Sequence, residues 1–314
     1  MRDSLYGLPF LILALGCATP EVEQVAQALP AAVGEPELTD EEWTEALLEH
    51  RQEKDEEFTT SKDSPMAGSQ YLKSEPANEV YLVHREESFE LADSPVDGAA
   101  IGVSRLEGAW HLQTLGQEVV GRAGEEAVDE GDALEGPAAF DIGRFHLSFY
   151  PSEERITFIV FDPERKEMQA FEHLLYFSPD RSFAVDARLE ILDDPEKLEM
   201  PTTRNLIKTF YRYAKIHFEI DGKQQELTAL KSSLEGDGSE GLFIPFKDET
   251  AGRETYGAGR YLQIDDPKSA DFVLDFNRAF NPLCNYSPAY NCTLPPSENR
   301  LEVAIRAGEL TYPH

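Results

Sequence analysis

Alternation dominates the middle of the chain. Phe183, Val185, Ala187, Leu189 and Ile191 are interleaved with Asp186, Arg188 and Glu190, the period of a strand with one face buried. Ala214, Ile216, Phe218 and Ile220 repeat the device, and Asp221-Gly222 follows as a two-residue hairpin turn. Further strands are predicted over residues 80–84, 109–115, 145–150, 155–161, 242–246, 260–264, 272–277 and 301–307. Residues 121–136, rich in glycine and acid, read as a long loop. One helix is predicted, over 39–58. Thr39 and Glu42 have the spacing of a capping box, acidic residues crowd the first turn, and Trp43, Leu47 and Leu48 supply an apolar face. Many short strands with turn chemistry between them predict a mostly β protein, built as two packed sandwich- or barrel-like subdomains over 39–165 and 166–314, the helix coming first.

The N-terminus carries a different pattern. Arg2 precedes an apolar run over 5–15, shorter than the roughly 20 residues a membrane-spanning helix needs but suited to a signal-peptide core. Leu13-Ala14-Leu15-Gly16-Cys17 resembles a bacterial lipobox, in which the cysteine is acylated and becomes the new N-terminus. The expectation is a signal peptide over 1–16, lipidation at Cys17 and a flexible acidic tether over 17–38, holding the body at the periplasmic or outer-membrane face of the envelope. Ala14 and Gly16 also suit an ordinary small-x-small cleavage site, which would give a soluble secreted protein. Charge then narrows the partners. With 60 acidic against 28 basic residues the net charge is -32, and repulsion argues against nucleic acid or an anionic lipid surface as the body's ligand.

The candidate chemistry lies in residues 241–309. Asp248, Asp275, Asn277, Asn281 and Arg260 are polar where a simple core needs none. Converging carboxylate and amide oxygens would suit a hard divalent cation, with Asp248 and Asp275 as its first candidates. An arginine among carboxylates could instead clamp an anionic ligand. The plainer alternative is a buried network in which Arg260 pairs with Asp275 while Asn277 and Asn281 cap loop backbone. No histidine falls in this stretch, which argues against a Ser-His-Asp or Cys-His arrangement and against a histidine-based zinc site. Cys284 and Cys292 are close in sequence, and outside the cytoplasm a disulfide closing that short loop is expected, worth roughly 2.5 kcal/mol.

The same stretch resembles the bacterial domain-of-unknown-function family 1684. The resemblance is carried by Phe246, Asp248, Thr250, Gly252, Thr255-Tyr256, Gly259-Arg260-Tyr261, Asp275, Asn277, Asn281-Pro282 with Cys284, Pro295-Pro296, Glu298-Asn299 and Ala307-Gly308-Glu309. It covers the chain from about Glu42 but is sharp only after Phe243. Members often look similar to a forkhead-associated sandwich in their first half; the Gly-Ser-Asp turn of that half is missing here, so phosphothreonine reading does not follow. The resemblance implies no reaction. The candidate binding cluster is Asp248, Thr250, Thr255, Tyr256, Arg260, Asp275, Asn277, Asn281, Asn299 and Glu309. Two functions compete: an envelope protein whose β-body binds a small ligand or a protein partner, or a metal-assisted hydrolase working over 246–281.

Overall fold

Helix α1 (Asp40–Thr60) opens on the expected capping box. The Glu42 amide donates to Thr39 Oγ1 at 3.3 Å and the Thr39 amide donates back to Glu42 Oε2 at 3.0 Å. Its inward stripe is as polar as it is apolar. Leu47, Arg51 and Phe58 are buried, with Trp43 and Lys54 on the same side, whereas Leu48 is 49% exposed and forms no part of the apolar face. The computed structural model to which α1 belongs describes residues 38–116, 118–153, 155–235 and 241–313. The expected leader, Cys17 and all of the tether except Leu38 lie outside the described residues.

The described residues divide into two compact units. One comprises Leu72–Ile142 and Ser148–Phe158; the other takes α1 and the chain up to Tyr71, Gly143–Leu147 and everything from Ile159 onward. Grouping by sequence put α1 with the strands that follow it; its packing puts it with the C-terminal strands. Along the first half run β1 (Gly68–Lys73), β2 (Glu79–Arg85), β3 (Ser88–Ala92), β4 (Ile101–Leu106), β5 (Ala109–Leu115), β6 (Val119–Ala123), β7 (Glu126–Val128), β8 (Ala133–Leu134), β9 (Ala138–Ile142), β10 (Phe145–Pro151) and β11 (Ile156–Phe161). They form two sheets, β3-β2-β4-β5-β8 and β1-β11-β10-β9-β6-β7. In the first unit Trp110, Leu112, Phe140, Phe149 and Phe158 are buried, and Trp110 Nε1 donates to Ser152 O at 2.7 Å. The loop expected over 121–136 is strand for much of its length. Gly121 does not break the strand: a Cβ there would stand 2.5 Å from Val128 Cγ2, so this glycine lets β7 and Phe140 approach closely.

The second unit holds the sheet that positions the candidate site. After the short helix α2 (Lys166–Ala170) come β12 (Ala184–Pro201), β13 (Ile207–Ile220), β14 (Lys223–Lys231), β15 (Leu242–Phe246), β16 (Arg260–Ile264) and β17 (Asp271–Asp275). Their order is β16-β15-β14-β13-β12-β17. The alternation seen in the sequence is realised in register: Leu189 lies opposite Ile216, and Ile216 opposite Leu227, all buried. Asp221 and Gly222, with φ of 53° and 71°, make the turn between β13 and β14 in the left-handed geometry that matches strand twist. The sheet curls on itself. The chain leaving β17 reaches β16, where Tyr261 and Phe280 exchange amide hydrogen bonds of 2.8 and 2.9 Å.

Residues 301–307 do not form the predicted strand. The period of two is real, for Leu301, Val303, Ile305 and Ala307 are all buried in the core of this sheet. What the pattern could not show is where the backbone's hydrogen bonds go. Leu301 N donates to Lys247 O at 2.8 Å, and several carbonyls beyond it are served by a side chain.

Candidate functional site

The polar residues of 241–309 do not converge on one open pocket; they resolve into separate closed networks. In the first, the last residue of β15 leads into Asp248, and Arg260 opens β16 alongside it. Arg260, 1% exposed, donates to Asp248 Oδ2 at 2.6 Å, to Ile305 O at 2.8 Å and to Glu309 O at 3.3 Å, and also to Ala307 O. Asp248 Oδ1 accepts from the amide of Thr250 at 2.6 Å and from its hydroxyl, which in turn meets Thr255 Oγ1 at 2.8 Å. Burial pulls the Arg260 pKa down, and the Asp248 carboxylate opposes that shift. Every oxygen of Asp248 is committed to protein.

Asp275 belongs elsewhere. The expected Arg260–Asp275 pair is not formed. Asp275 Oδ2 accepts from Trp43 Nε1 at 2.9 Å, and Oδ1 accepts from the amide and side-chain nitrogens of Asn277, each at 2.9 Å. Asn277 also clasps Asp180, accepting from its amide at 3.0 Å and donating to its carbonyl at 2.8 Å. Asp248 and Asp275 therefore do not share a cation site. Among the described residues no group of three or more His, Cys, Asp or Glu side chains stands close enough to hold a metal.

Glu309 anchors a third network. Its Oε1 accepts from Lys54 Nζ of α1 at 2.6 Å, and its Oε2 accepts from the Asn281 amide at 2.7 Å and the Tyr286 hydroxyl at 2.5 Å. Asn281 Nδ2 donates onward to Leu310 O at 2.7 Å. Burial, and then the charge of Glu309, hold the Tyr286 phenol protonated far above its usual range. Asn299 forms a fourth network, with no side chain of the other three. Its Oδ1 accepts from Thr228 N at 2.7 Å, and its Nδ2 donates to Thr228 O and Pro245 O at 2.8 Å each. Among the described residues β14 and β15 pair only at Leu230 and Phe243, so this amide stands in where the ladder is short.

Tyr256 points to the two cysteines, and here the disulfide expectation is corrected: Cys284 and Cys292 are free thiols lying side by side. The Cys284 amide donates to Cys292 Sγ at 3.0 Å, and the Tyr256 hydroxyl lies 3.6 Å from Cys284 Sγ. The hydrogen bond from Cys292 to its sulfur outweighs burial and brings Cys284 down to about 7, while Cys292 is pushed well above its usual range. Burial raises the Tyr256 phenol.

Residues 169–310, which contain all of these networks except the contributions of α1, match the family described as a protein of unknown function, DUF1684. The chain belongs to this family. A solution NMR structure of the uncharacterized protein from gene locus rrnAC0354 of Haloarcula marismortui is 35% identical, over 48% of this chain and 83% of that one, with a TM-score of 0.40. Comparison with curated proteins returns no match. The DUF1684 region thus takes two of its internal partners, Trp43 and Lys54, from a helix outside the matched segment.

An open groove of about 670 Å³ lies on β12, β13 and β17 of the DUF1684 region. Register sets it up: Arg188 lies opposite Asp271 on one side and His217 on the other, and the Arg188–Asp271 pair closes at 3.0 Å. Val273 is the exposed apolar side chain of this row; Phe218 is buried in the core on the other face of the sheet, and Phe272 packs against that core. Sequence reasoning passed over these residues because the polar half of an alternating strand looks like an ordinary solvated face. Only the pairing register, unknown from one strand alone, brings the charges into one row.

Proposed function

We propose that this protein is an exported, lipid-anchored member of the cell envelope whose C-terminal β-unit binds a small ligand or a protein partner in the groove on β12, β13 and β17. The observation that carries the reading is a contrast between two regions. The family's polar residues are buried or half-buried and bonded within the protein, while the groove leaves Arg188, His217 and Asp271 open to solvent beside the exposed Val273. A recognition site of this kind combines a few placed polar groups with apolar surface. The hydrolytic alternative would need Asp248 and Asp275 in one accessible site, and their partners differ.

Thermal-shift screening of the soluble body against small molecules, with and without divalent cations, tests the binding half. Hits should lose their shift in Arg188→Ala and Val273→Asp; hits that bind these variants as well as the wild type would remove the groove from the proposal. The anchoring half rests on the Leu13–Cys17 pattern. Cys17→Ser should move the protein from the membrane to the soluble fraction. A purely soluble wild-type protein would instead favour simple secretion.

A further inference from the structure

We infer that Cys284 and Cys292 are an exchangeable dithiol–disulfide pair, with Cys284 attacking an external disulfide and Cys292 resolving the mixed disulfide. The inference is independent of the groove and of the anchor.

The loop between the two cysteines is held without a covalent bond. Tyr286 is tied to Glu309, Ser287 Oγ donates to Gly68 O at 2.6 Å, and Arg204 Nε donates to Tyr290 O at 3.1 Å. Cys292 is fixed in turn, its amide donating to Thr203 Oγ1 at 3.1 Å and its carbonyl accepting from Thr203 N at 2.9 Å. A permanent staple is redundant in such a loop. What the hydrogen bonds do instead is hold two sulfurs in register in the reduced state, so that a bond between them can form or break with little movement of the chain.

The two thiols are unequal. Cys284 is partly exposed, and Cys292 is buried. The thiolate is the nucleophile in exchange, and the most effective attacking thiol has a pKa near ambient pH. Cys284, brought to about 7, meets that condition on the accessible sulfur, while Cys292 stays protonated behind it. Lys208 supplies positive charge beside Cys292, which favours its thiolate at the moment of resolution.

The chemistry balances without any group beyond an external disulfide, R–S–S–R′. Cys284 thiolate attacks one sulfur, forming Cys284–S–S–R and releasing R′S⁻, which takes up a proton. Cys292 then loses its proton to solvent and attacks Cys284 Sγ, forming the Cys284–Cys292 disulfide and expelling RS⁻. The protein dithiol is oxidised and the external disulfide is reduced to two thiols. Run in reverse with an external dithiol, the pair is reduced again.

The test uses the full chain carrying Cys17→Ser, which leaves these as the remaining two of the three cysteines, with glutathione disulfide as the probe. The reduced protein should gain an intramolecular disulfide and release two glutathiones, and dithiothreitol should reverse this under native conditions. Cys292→Ala should stop at one bound glutathione per chain, and its rate should need a higher pH than the unsubstituted pair, in which Cys284 is brought to about 7, because the hydrogen bond that lowers it is gone. Cys284→Ala should react at least about tenfold more slowly, as its remaining thiol is buried and burial disfavours its thiolate. Peptide mapping after brief native alkylation of the unsubstituted pair should find Cys284 labelled first, which keeps the test open if either variant folds poorly. A disulfide that yields to dithiothreitol only after unfolding, or equal reactivity of the two cysteines, overturns the inference.

Discussion

Arg260→Met removes the donor on which the C-terminal segment depends, and its cost follows from the bonds it breaks. The guanidinium serves the Asp248 carboxylate and the carbonyls of Ile305, Ala307 and Glu309, all in a site from which water is excluded. Removing one partner of a buried ion pair costs about 3–5 kcal/mol, because the charge left behind is uncompensated. A buried carbonyl that loses its donor adds about 1–3 kcal/mol. Even at the lower ends, with only the two closest carbonyls counted, the loss reaches about 5 kcal/mol, a large part of the 5–15 kcal/mol that holds a typical domain folded. Urea unfolding followed by Trp43 fluorescence in a Trp110→Phe background is the assay, since each unit contains one of the chain's two tryptophans. Asp248→Leu combined with Arg260→Met separates the two contributions. It removes the unpaired charge but leaves the carbonyls orphaned, so it should recover part of the loss and not all. A double variant as stable as wild type would refute the claim that Arg260 substitutes for a strand partner. An Arg260→Met protein within about 1 kcal/mol of wild type would refute the whole argument.

Two further outcomes follow from local geometry. His50, brought down to about 4 by burial and then by the charges of Arg278 and Lys54, stays neutral in the folded protein while the unfolded chain takes up a proton near pH 6.5. Its stabilising effect is therefore whole above that pH and lost as pH falls toward 4, and His50→Gln should flatten this part of the acid unfolding curve; an unchanged slope rules His50 out as its source. Gly222→Ala places a side chain at φ 71° with no crowding around it, so the cost should be the intrinsic one of about 1–2 kcal/mol in urea unfolding, and a neutral result would mean the turn has another conformation open to it.

The strands on which the site rests were legible because alternation reports a sheet with one wet face. β12, β13, their turn and the capping box of α1 are all local patterns, and local patterns survive without knowledge of the fold. The site was legible only as a list of residues. Its pairings are long-range: Trp43 with Asp275 across 232 positions, Lys54 with Glu309 across 255. Nothing local distinguishes Asp248 from Asp275 as the partner of Arg260. The failures share a cause. Residues 301–307 alternate like a strand because their side chains do enter a core, but periodicity describes side chains and is silent on backbone bonding. Gly121 looked like a breaker because composition cannot separate a glycine that turns the chain from one that admits a neighbour.

The position of the polar residues suggests why a motif so specific need not name a reaction. Among the described residues no strand follows β17, so the chain from 276 to 313 enters the core without a continuous ladder to satisfy its amides and carbonyls. Buried backbone groups left unpaired are costly, and side chains must do what neighbouring strands do elsewhere. Asn277 pairs with the backbone of Asp180, Asn281 donates to Leu310 O, Asn299 bridges Thr228 and Pro245, and Arg260 collects the carbonyls of 305–309. These four motif residues sit where a rung is missing. A family recognised by these residues is recognised by how its C-terminal segment is held in place, and such a device is compatible with different ligands on the open face of the same sheet. The groove and the thiol pair differ from these networks in exposure: Arg188, His217 and Asp271 pair at the surface, and Cys284 is partly exposed, so both can meet a partner from solvent.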